Sequence, residues 1–90
     1  MAEPDGPEVE AEALQAELAA FDVEQFIVSA ASTIASLAYA KLDGRNLAQA
    51  RKAIDALAAL TPLVEGELAA DLTRALANLQ LAYAEAASSA

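Results

Sequence analysis

Two residue types with specialised chemistry, cysteine and histidine, do not occur in this sequence. Without cysteine the chain forms no disulfide and offers no thiol nucleophile, and without both it lacks the commonest metal ligands and the proton shuttle of neutral pH. Tryptophan is also missing, and there are only two phenylalanines, two tyrosines, three glycines and three prolines. A chain free of cysteine suits a reducing cytoplasm. We therefore expect a cytoplasmic protein with no catalytic residue, no metal site and no cofactor.

Basic residues are scarce as well: five lysines and arginines stand against fourteen aspartates and glutamates, giving a net charge of −9. Residues 1–24 hold eight of the acids and no base, whereas residues 25–90 are nearly neutral. Acidic segments repel phosphate backbones, and no basic patch with interleaved aromatic residues offsets this repulsion. We expect no direct binding of nucleic acid.

Long hydrophobic runs are missing too. The longest uncharged stretch, residues 25–40, has sixteen residues and includes three serines and a threonine. A membrane-spanning helix needs about 20 predominantly apolar residues. The opening residues "MAEPDGPEVE" also lack the basic region of a signal peptide. The sequence therefore predicts no association with a membrane.

Alanine is abundant, and alanine is the strongest helix former. The spacing of the apolar residues predicts an all-α fold: a three-helix antiparallel bundle with a short N-terminal acidic helix, completed by homodimerisation. The predicted segments are a disordered acidic leader at 1–8, a short amphipathic acidic helix at 9–21, and a helical bundle domain at 22–87 with helices at about 22–42, 46–60 and 67–86. The helix at 9–21 either lies free or docks on the bundle, and docking is favoured because a lone helix of this length is marginal in water.

Several local signals set the predicted helix ends. Asp22 and Asn46 are suitable N-caps, each followed three residues later by a glutamine. Phe21 and Phe26 flank the first cap in the arrangement of a hydrophobic staple. Gly44 is expected to supply the left-handed residue that ends the helix at 22–42.

The helix at 22–42 has no charged face, which is unusual for an exposed helix. One side is predicted to be buried and contains Val23, Phe26, Ile27, Ala30, Ile34, Leu37 and Ala38; the other contains Ser29, Ser32, Thr33, Ser36 and Ala40. Since three short helices provide little core, we expect a second copy to cover this helix. The predicted interface residues are Phe26, Ala30, Ser32, Ile34, Ser36, Leu37 and Tyr39. The alternative is that the serine side simply faces water.

Titratable side chains that might serve an enzyme are few. They are Asp55, Tyr39, Tyr83, Lys41 and Arg74. Asp55 is expected to pair with Arg51 one turn away on the same helix, and the tyrosines are expected at the boundary between core and water. The sequence contains no phosphate-binding glycine loop and no nucleophile or zinc motif. We expect no enzymatic activity.

Three sequence features lie in order and at characteristic separations: "LAQARKAIDALAAL", then Gly66-Glu67-Leu68, then "LQLAYAE". Over residues 22–86 the chain resembles the bacterial family described as domain of unknown function eighteen-forty-four. The resemblance implies a small, all-helical cytoplasmic protein without an established activity, and relatives encoded beside translation genes imply a link to translation. The segment "TPLVEG" and Gln80 depart from the basic residues usual in that family, which puts any role of those residues in doubt here.

Two functions remain open at this point. The first is a non-enzymatic interaction or scaffold protein, acting as a homodimer or by binding an unidentified protein partner. The second is a helical bundle that binds an apolar small molecule between its helices, oriented by Ser36 or Tyr39. Closely packed alanine-rich helices leave little space for a ligand, which favours the first.

Overall fold

The computed structural model describes residues 7–89, and these residues form an all-α structure without β-strands. The α-helices are α1 (Pro7–Ala20), α2 (Val23–Asp43), α3 (Leu47–Leu60) and α4 (Glu67–Ser88), with a 3₁₀ turn at Thr61–Leu63 between α3 and α4. The predicted all-α class is confirmed. Helix α1 begins at Pro7, within the predicted leader at 1–8, and residues 1–6 of that leader lie outside the described residues.

Local sequence signals explain where α2 begins. The Asp22 carboxylate accepts a hydrogen bond from the Glu24 N–H at 3.1 Å, as an N-cap should. The rings of Phe21 and Phe26 contact each other edge to face, with centroids 6.0 Å apart, so the predicted staple forms. The cap and the staple together fix the direction in which the chain enters α2.

The turn from α2 to α3 differs from the prediction in one residue. Gly44 has φ −82°, whereas Arg45 has φ 62° and is the left-handed residue. The Asn46 N–H donates to the Lys41 carbonyl at 2.9 Å and the Arg45 N–H to Leu42 at 3.1 Å, which is the Schellman arrangement. The prediction placed this residue at Gly44 because glycine tolerates positive φ best, but the hydrogen-bond register sets the position.

Helices α2, α3 and α4 pack against one another. Helix α3 ends at Leu60 and passes into the 3₁₀ turn, where Pro62 has no N–H to continue the α-helical hydrogen bonds. The Thr61 hydroxyl donates to the Leu57 carbonyl at 2.7 Å, so this buried polar group is satisfied. At the other end of the connection the Glu65 N–H donates to the Glu24 carboxylate at 3.2 Å. This bond holds the start of α4 beside the start of α2.

The core between these helices combines three buried alanines with larger aliphatic side chains. Among the described residues, the buried hydrophobic side chains are Ala31, Ala38, Ala50, Ile54, Leu57, Val64, Leu72 and Leu79. Only Leu57 and Leu79 are both large and completely buried within that set. Alanines let helix axes approach closely, but each removes little apolar area from water.

The prediction of which α2 residues are buried was partly wrong. Ala38 is buried and Ile27 and Ile34 pack against the core as expected, but Val23, Phe26 and Leu37 are exposed by 69%, 60% and 47%. The core side of α2 instead passes through Ala31, with Val28, Ala35 and Leu42 packed around it. In α4, Leu72 and Leu79 are buried, whereas Leu68, one turn before Leu72, is half exposed.

Candidate interaction surface

Helix α1 carries an apolar stripe that no other described part of the chain covers. Ala11, Leu14 and Leu18 follow one another at steps of three and four residues, which places them on one side of the helix, and Phe21 comes three residues later, directly after the helix ends at Ala20. Leu14, Leu18 and Phe21 are exposed by 56%, 62% and 53%. No residue of α1 packs against α2, α3 or α4 within the described chain, so the expected docking of this helix is not observed.

A second apolar stripe, here called the α2 edge, consists of Val23, Phe26, Ala30, Thr33 and Leu37. The steps of three, four, three and four residues align them along one side of α2. The Thr33 hydroxyl donates to the Ser29 carbonyl at 3.0 Å, so its polar group is satisfied within the helix. The α2 edge is therefore apolar along about four turns.

The two stripes meet where α1 joins α2. An open hollow of about 270 Å³ at this junction is lined by Leu18, Phe21, Val23 and Phe26. The α1 stripe and the α2 edge thus form one continuous surface, which we call the apolar seam. Exposed apolar patches of this kind mark sites of interaction with other molecules.

Charge is distributed unevenly along the molecule. The charged side chains on α1 and around its junction with α2 are acidic: Glu10, Glu12, Glu17, Asp22, Glu24, Glu65 and Glu67. Four of the five bases lie at the opposite end of α2 and in the first turns of α3: Lys41, Arg45, Arg51 and Lys52. The molecule therefore has an acidic end, from which α1 projects, and a basic end.

The seven predicted interface residues do not form one surface. Phe26, Ala30 and Leu37 lie together on the α2 edge. Ile34 packs against the core, and Ser32 and Ser36 are exposed on the side of α2 away from the edge. Tyr39 is 43% exposed and lies beside Ser32 around the helix, not beside Leu37.

Sequence reasoning missed Val23 and Thr33 as parts of the edge. The signal that could have found them is the series Ala31, Ala35 and Ala38. Small residues at this helical spacing indicate the side of α2 on which another helix packs closely. Val23 and Thr33 lie to one side of this series around the helix, and they are exposed.

Of the five titratable candidates, Asp55 and Tyr83 border one hollow of about 160 Å³ together with Arg51, whereas Tyr39, Lys41 and Arg74 do not line it. Arg51 and Asp55 lie 3.9 Å apart with both side chains about 70% exposed, and Asp71 pairs with Arg74 on the surface of α4. Exposed pairs of this kind contribute little stability. Tyr83 is half buried against the core, where it borders a shallow hollow with Gln80 above Ile54. No cluster of three or more potential metal-ligating side chains occurs among the described residues.

Helix α2 is, within residues 7–89, the one helix long and apolar enough to cross a membrane. It includes Glu24, Lys41 and Asp43 and is longer than the uncharged run on which the sequence argument relied. Length and composition do not separate a spanning helix from a core helix of a soluble protein. The predicted absence of membrane association stays a prediction.

Comparison with known proteins gives no relative for this chain: no protein-family model, no curated protein sequence and no solved structure matches it. The resemblance to the family described as domain of unknown function eighteen-forty-four therefore stays a prediction.

Proposed function

We propose that the protein is a non-enzymatic helical interaction module that acts as a homodimer or binds a protein partner through the apolar seam. In this proposal α2, α3 and α4 are a three-helix antiparallel bundle that a second molecule completes. One observation carries the proposal: six large side chains of one continuous surface are each exposed by 47% to 69%. They are Leu14, Leu18, Phe21, Val23, Phe26 and Leu37.

The weakness of the core supports the same conclusion. Domains of fewer than about 70–80 residues seldom bury enough apolar surface to be stable alone without disulfides, metals or association. This chain has no cysteine, and its two large, completely buried side chains within the described residues are Leu57 and Leu79. Association through the seam supplies the missing apolar burial.

We further propose that this module acts in the cytoplasm, binds no nucleic acid directly and does not enter a membrane. The excess of acids over bases supports the second point, and the lack of cysteine is consistent with the first. A link to translation rests solely on the family resemblance.

The alternative function, binding of an apolar small molecule, has one favourable observation, which is the hollow at the junction of α1 and α2. Its volume of about 270 Å³ is just below the roughly 300–1,000 Å³ of small-molecule sites. Ser36 and Tyr39, the residues expected to orient a ligand, do not line it. A protein surface therefore fits the seam better than a small ligand does.

Light scattering coupled to size exclusion, over a hundredfold range of protein concentration, tests the proposal. We expect a dimer whose dissociation is promoted by Phe26→Lys. The matched control is Leu81→Lys, because Leu81 is 62% exposed and Phe26 60%, but Leu81 lies on α4 outside the seam. If both variants change association equally, the seam is not the binding surface.

A monomer at every concentration would exclude the homodimer and leave the partner-binding form. That form predicts that photo-crosslinking from position 26 in the native cell yields a discrete protein adduct, whereas crosslinking from position 81 does not. An apolar ligand instead predicts a rise in melting temperature with apolar compounds, which Phe26→Lys abolishes. If neither adduct nor thermal shift is found, the interaction function itself is wrong.

A further inference from the structure

We propose that two copies of this chain exchange their first helices, so that α1 of each copy lies antiparallel along the α2 edge of the other. This inference rests on the proposed function and identifies the molecule that covers the apolar seam as a second copy of the same chain. The two contacts are equivalent, and a two-fold axis passes near the junction of α1 and α2.

Helix α1 needs a partner for its own stability. It has fourteen residues, and isolated helices shorter than about 12–15 residues are marginal in water. It has no packing contact with the rest of the described chain, although its stripe is apolar. Burial of that stripe supplies the stabilisation that helix propensity alone does not.

The junction keeps α1 away from the α2 edge of its own chain. Phe21 and Asp22 connect the two helices. The Asp22 carboxylate caps α2, and the ring of Phe21 packs edge to face on the ring of Phe26. A tight reversal onto the same chain would break both contacts. The partner's α2 edge is free of this constraint.

The two stripes match in spacing, and the α2 edge is one turn longer than the α1 stripe. The α1 stripe has steps of three, four and three residues from Phe21 back to Ala11, and the α2 edge has the same steps forward from Val23. These stripes are about 15 Å and 21 Å long at 1.5 Å per residue. In the antiparallel arrangement Leu18 faces Phe26 of the partner and Leu14 faces Ala30 of the partner.

Charge favours the same direction. Antiparallel packing points the acidic first turns of α1, which include Glu10 and Glu12, toward the basic end of the partner's α2; Ala11 then faces Thr33, and Lys41 lies about 12 Å farther along the helix. It also opposes the two helix dipoles. A parallel arrangement would place the acids of α1 beside Asp22 and Glu24 and is disfavoured.

The chain exposes more surface than a compact protein of its mass. Its accessible surface is 6448 Å², whereas a compact monomer of 9.2 kDa exposes about 4,900 Å². Helix α1, which has no packing contact within the described chain, contributes to this excess and leaves surface that a second copy can cover. A lipid surface is a poorer occupant, because helices that lie on membranes carry lysine and arginine and α1 carries only acids.

A charge-exchange experiment on the full chain tests the proposal. One chain carries Leu18→Lys, which damages α1, and another carries Phe26→Glu, which damages the α2 edge. Each variant alone has two damaged contacts per dimer, and at about tenfold per contact we expect its dissociation constant to rise about 100-fold. Mixed, the two variants form a heterodimer with one intact Leu18–Phe26 contact and one Lys–Glu pair, so association returns to within about tenfold of the unmodified chain.

Leu81→Lys is the matched control for Leu18→Lys, since both leucines are 62% exposed, and circular dichroism verifies that every variant remains helical. Native mass spectrometry of the mixture identifies the heterodimer by mass. Failure to form it, when both variants alone are monomers, overturns the exchange. A dimer that tolerates Leu18→Lys also overturns the exchange but leaves the proposed homodimer intact. A monomeric unmodified chain overturns the exchange and the homodimer together.

Discussion

The two sides of helix α2 differ in an unexpected way: its completely buried residues are small, and several of its most exposed residues are large. The side that meets α3 and α4 buries the smallest apolar residues, Ala31 and Ala38, with no exposed surface. The α2 edge exposes the largest, Phe26 and Leu37. Small residues on the inner side let the helices approach closely, while the bulky ones remain where another molecule can cover them. The inner side thus combines the completely buried Ala31 and Ala38 with partly buried larger residues such as Ile34, whereas the bulky residues of the α2 edge stay exposed.

The largest effect is expected where the inner side of α2 meets the core. Leu57→Ala should lower the free energy of unfolding by about 2–5 kcal/mol, because Leu57 is completely buried and its removal leaves a cavity. Leu81→Ala, at an exposed leucine, should change it by less than about 0.5 kcal/mol. Urea denaturation of both variants measures the difference. Equal losses would mean that the two leucines have similar surroundings.

Enlarging a residue should distinguish the inner side of α2 from an exposed position on the same helix. Ala38→Leu should destabilise the fold by about 1–3 kcal/mol, since added methylenes in a filled core force neighbours apart. Ala40→Leu is the matched control, because Ala40 is exposed and two residues away. Thermal unfolding followed by circular dichroism gives both values. Tolerance of Ala38→Leu would contradict the close approach of the helices.

The two ends of α2 also differ, because each lies beside a glycine in a different conformation. Gly66, beside the start of α2, has φ 81° and ψ −155°, so Gly66→Ala should destabilise by about 1–3 kcal/mol. Gly44, at the other end, has φ −82°, and Gly44→Ala should stabilise by about 0.4–1 kcal/mol. A Cβ there meets only the Ala40 carbonyl at 3.5 Å and the Lys41 carbonyl at 3.9 Å. If chemical denaturation shows that Gly44→Ala lowers the free energy of unfolding more than Gly66→Ala does, then Gly44, and not Arg45, is the left-handed residue of the turn.

The smallest effect on the fold itself is expected at the α2 edge. Val23→Ala should change the unfolding free energy by less than about 0.5 kcal/mol at protein concentrations below the dissociation constant of the dimer, because Val23 is 69% exposed. Val64→Ala provides the contrast, since Val64 is 4% exposed and loses about 1.5 kcal/mol of buried methylenes. A large loss at Val23 under dilute conditions would show that the edge is part of the monomer core.

The helices and their ends follow largely from local sequence. Asp22 and Asn46 cap α2 and α3 as predicted, Phe21 packs on Phe26, and Ile54, Leu57 and Leu79 are buried as their spacing indicates. These features depend on residues within one or two turns of each other or on strong apolar periodicity. The left-handed Arg45 is the exception, because the hydrogen-bond register of the turn outweighed the preference of Gly44.

The seven residues predicted as an interface lie on different sides of α2, and their role in binding stays a prediction. Phe26, Ala30 and Leu37 belong to the α2 edge, whereas Ile34, Ser32, Ser36 and Tyr39 do not. On a helix that is apolar nearly all round, periodicity does not identify the inner side. The position of α3 and α4 decides it, since Ala31 and Ala38 lie in one buried cluster with residues of those helices.

The sequence by itself determined that this chain is helical, where its caps lie and that its acids concentrate near α1, because these depend on composition and on neighbouring residues. Only the tertiary structure decided which side of α2 is inside and that the rest of the described chain does not cover α1. Burial is a relation between distant segments, so it follows from how helices meet and not from the pattern of any one helix.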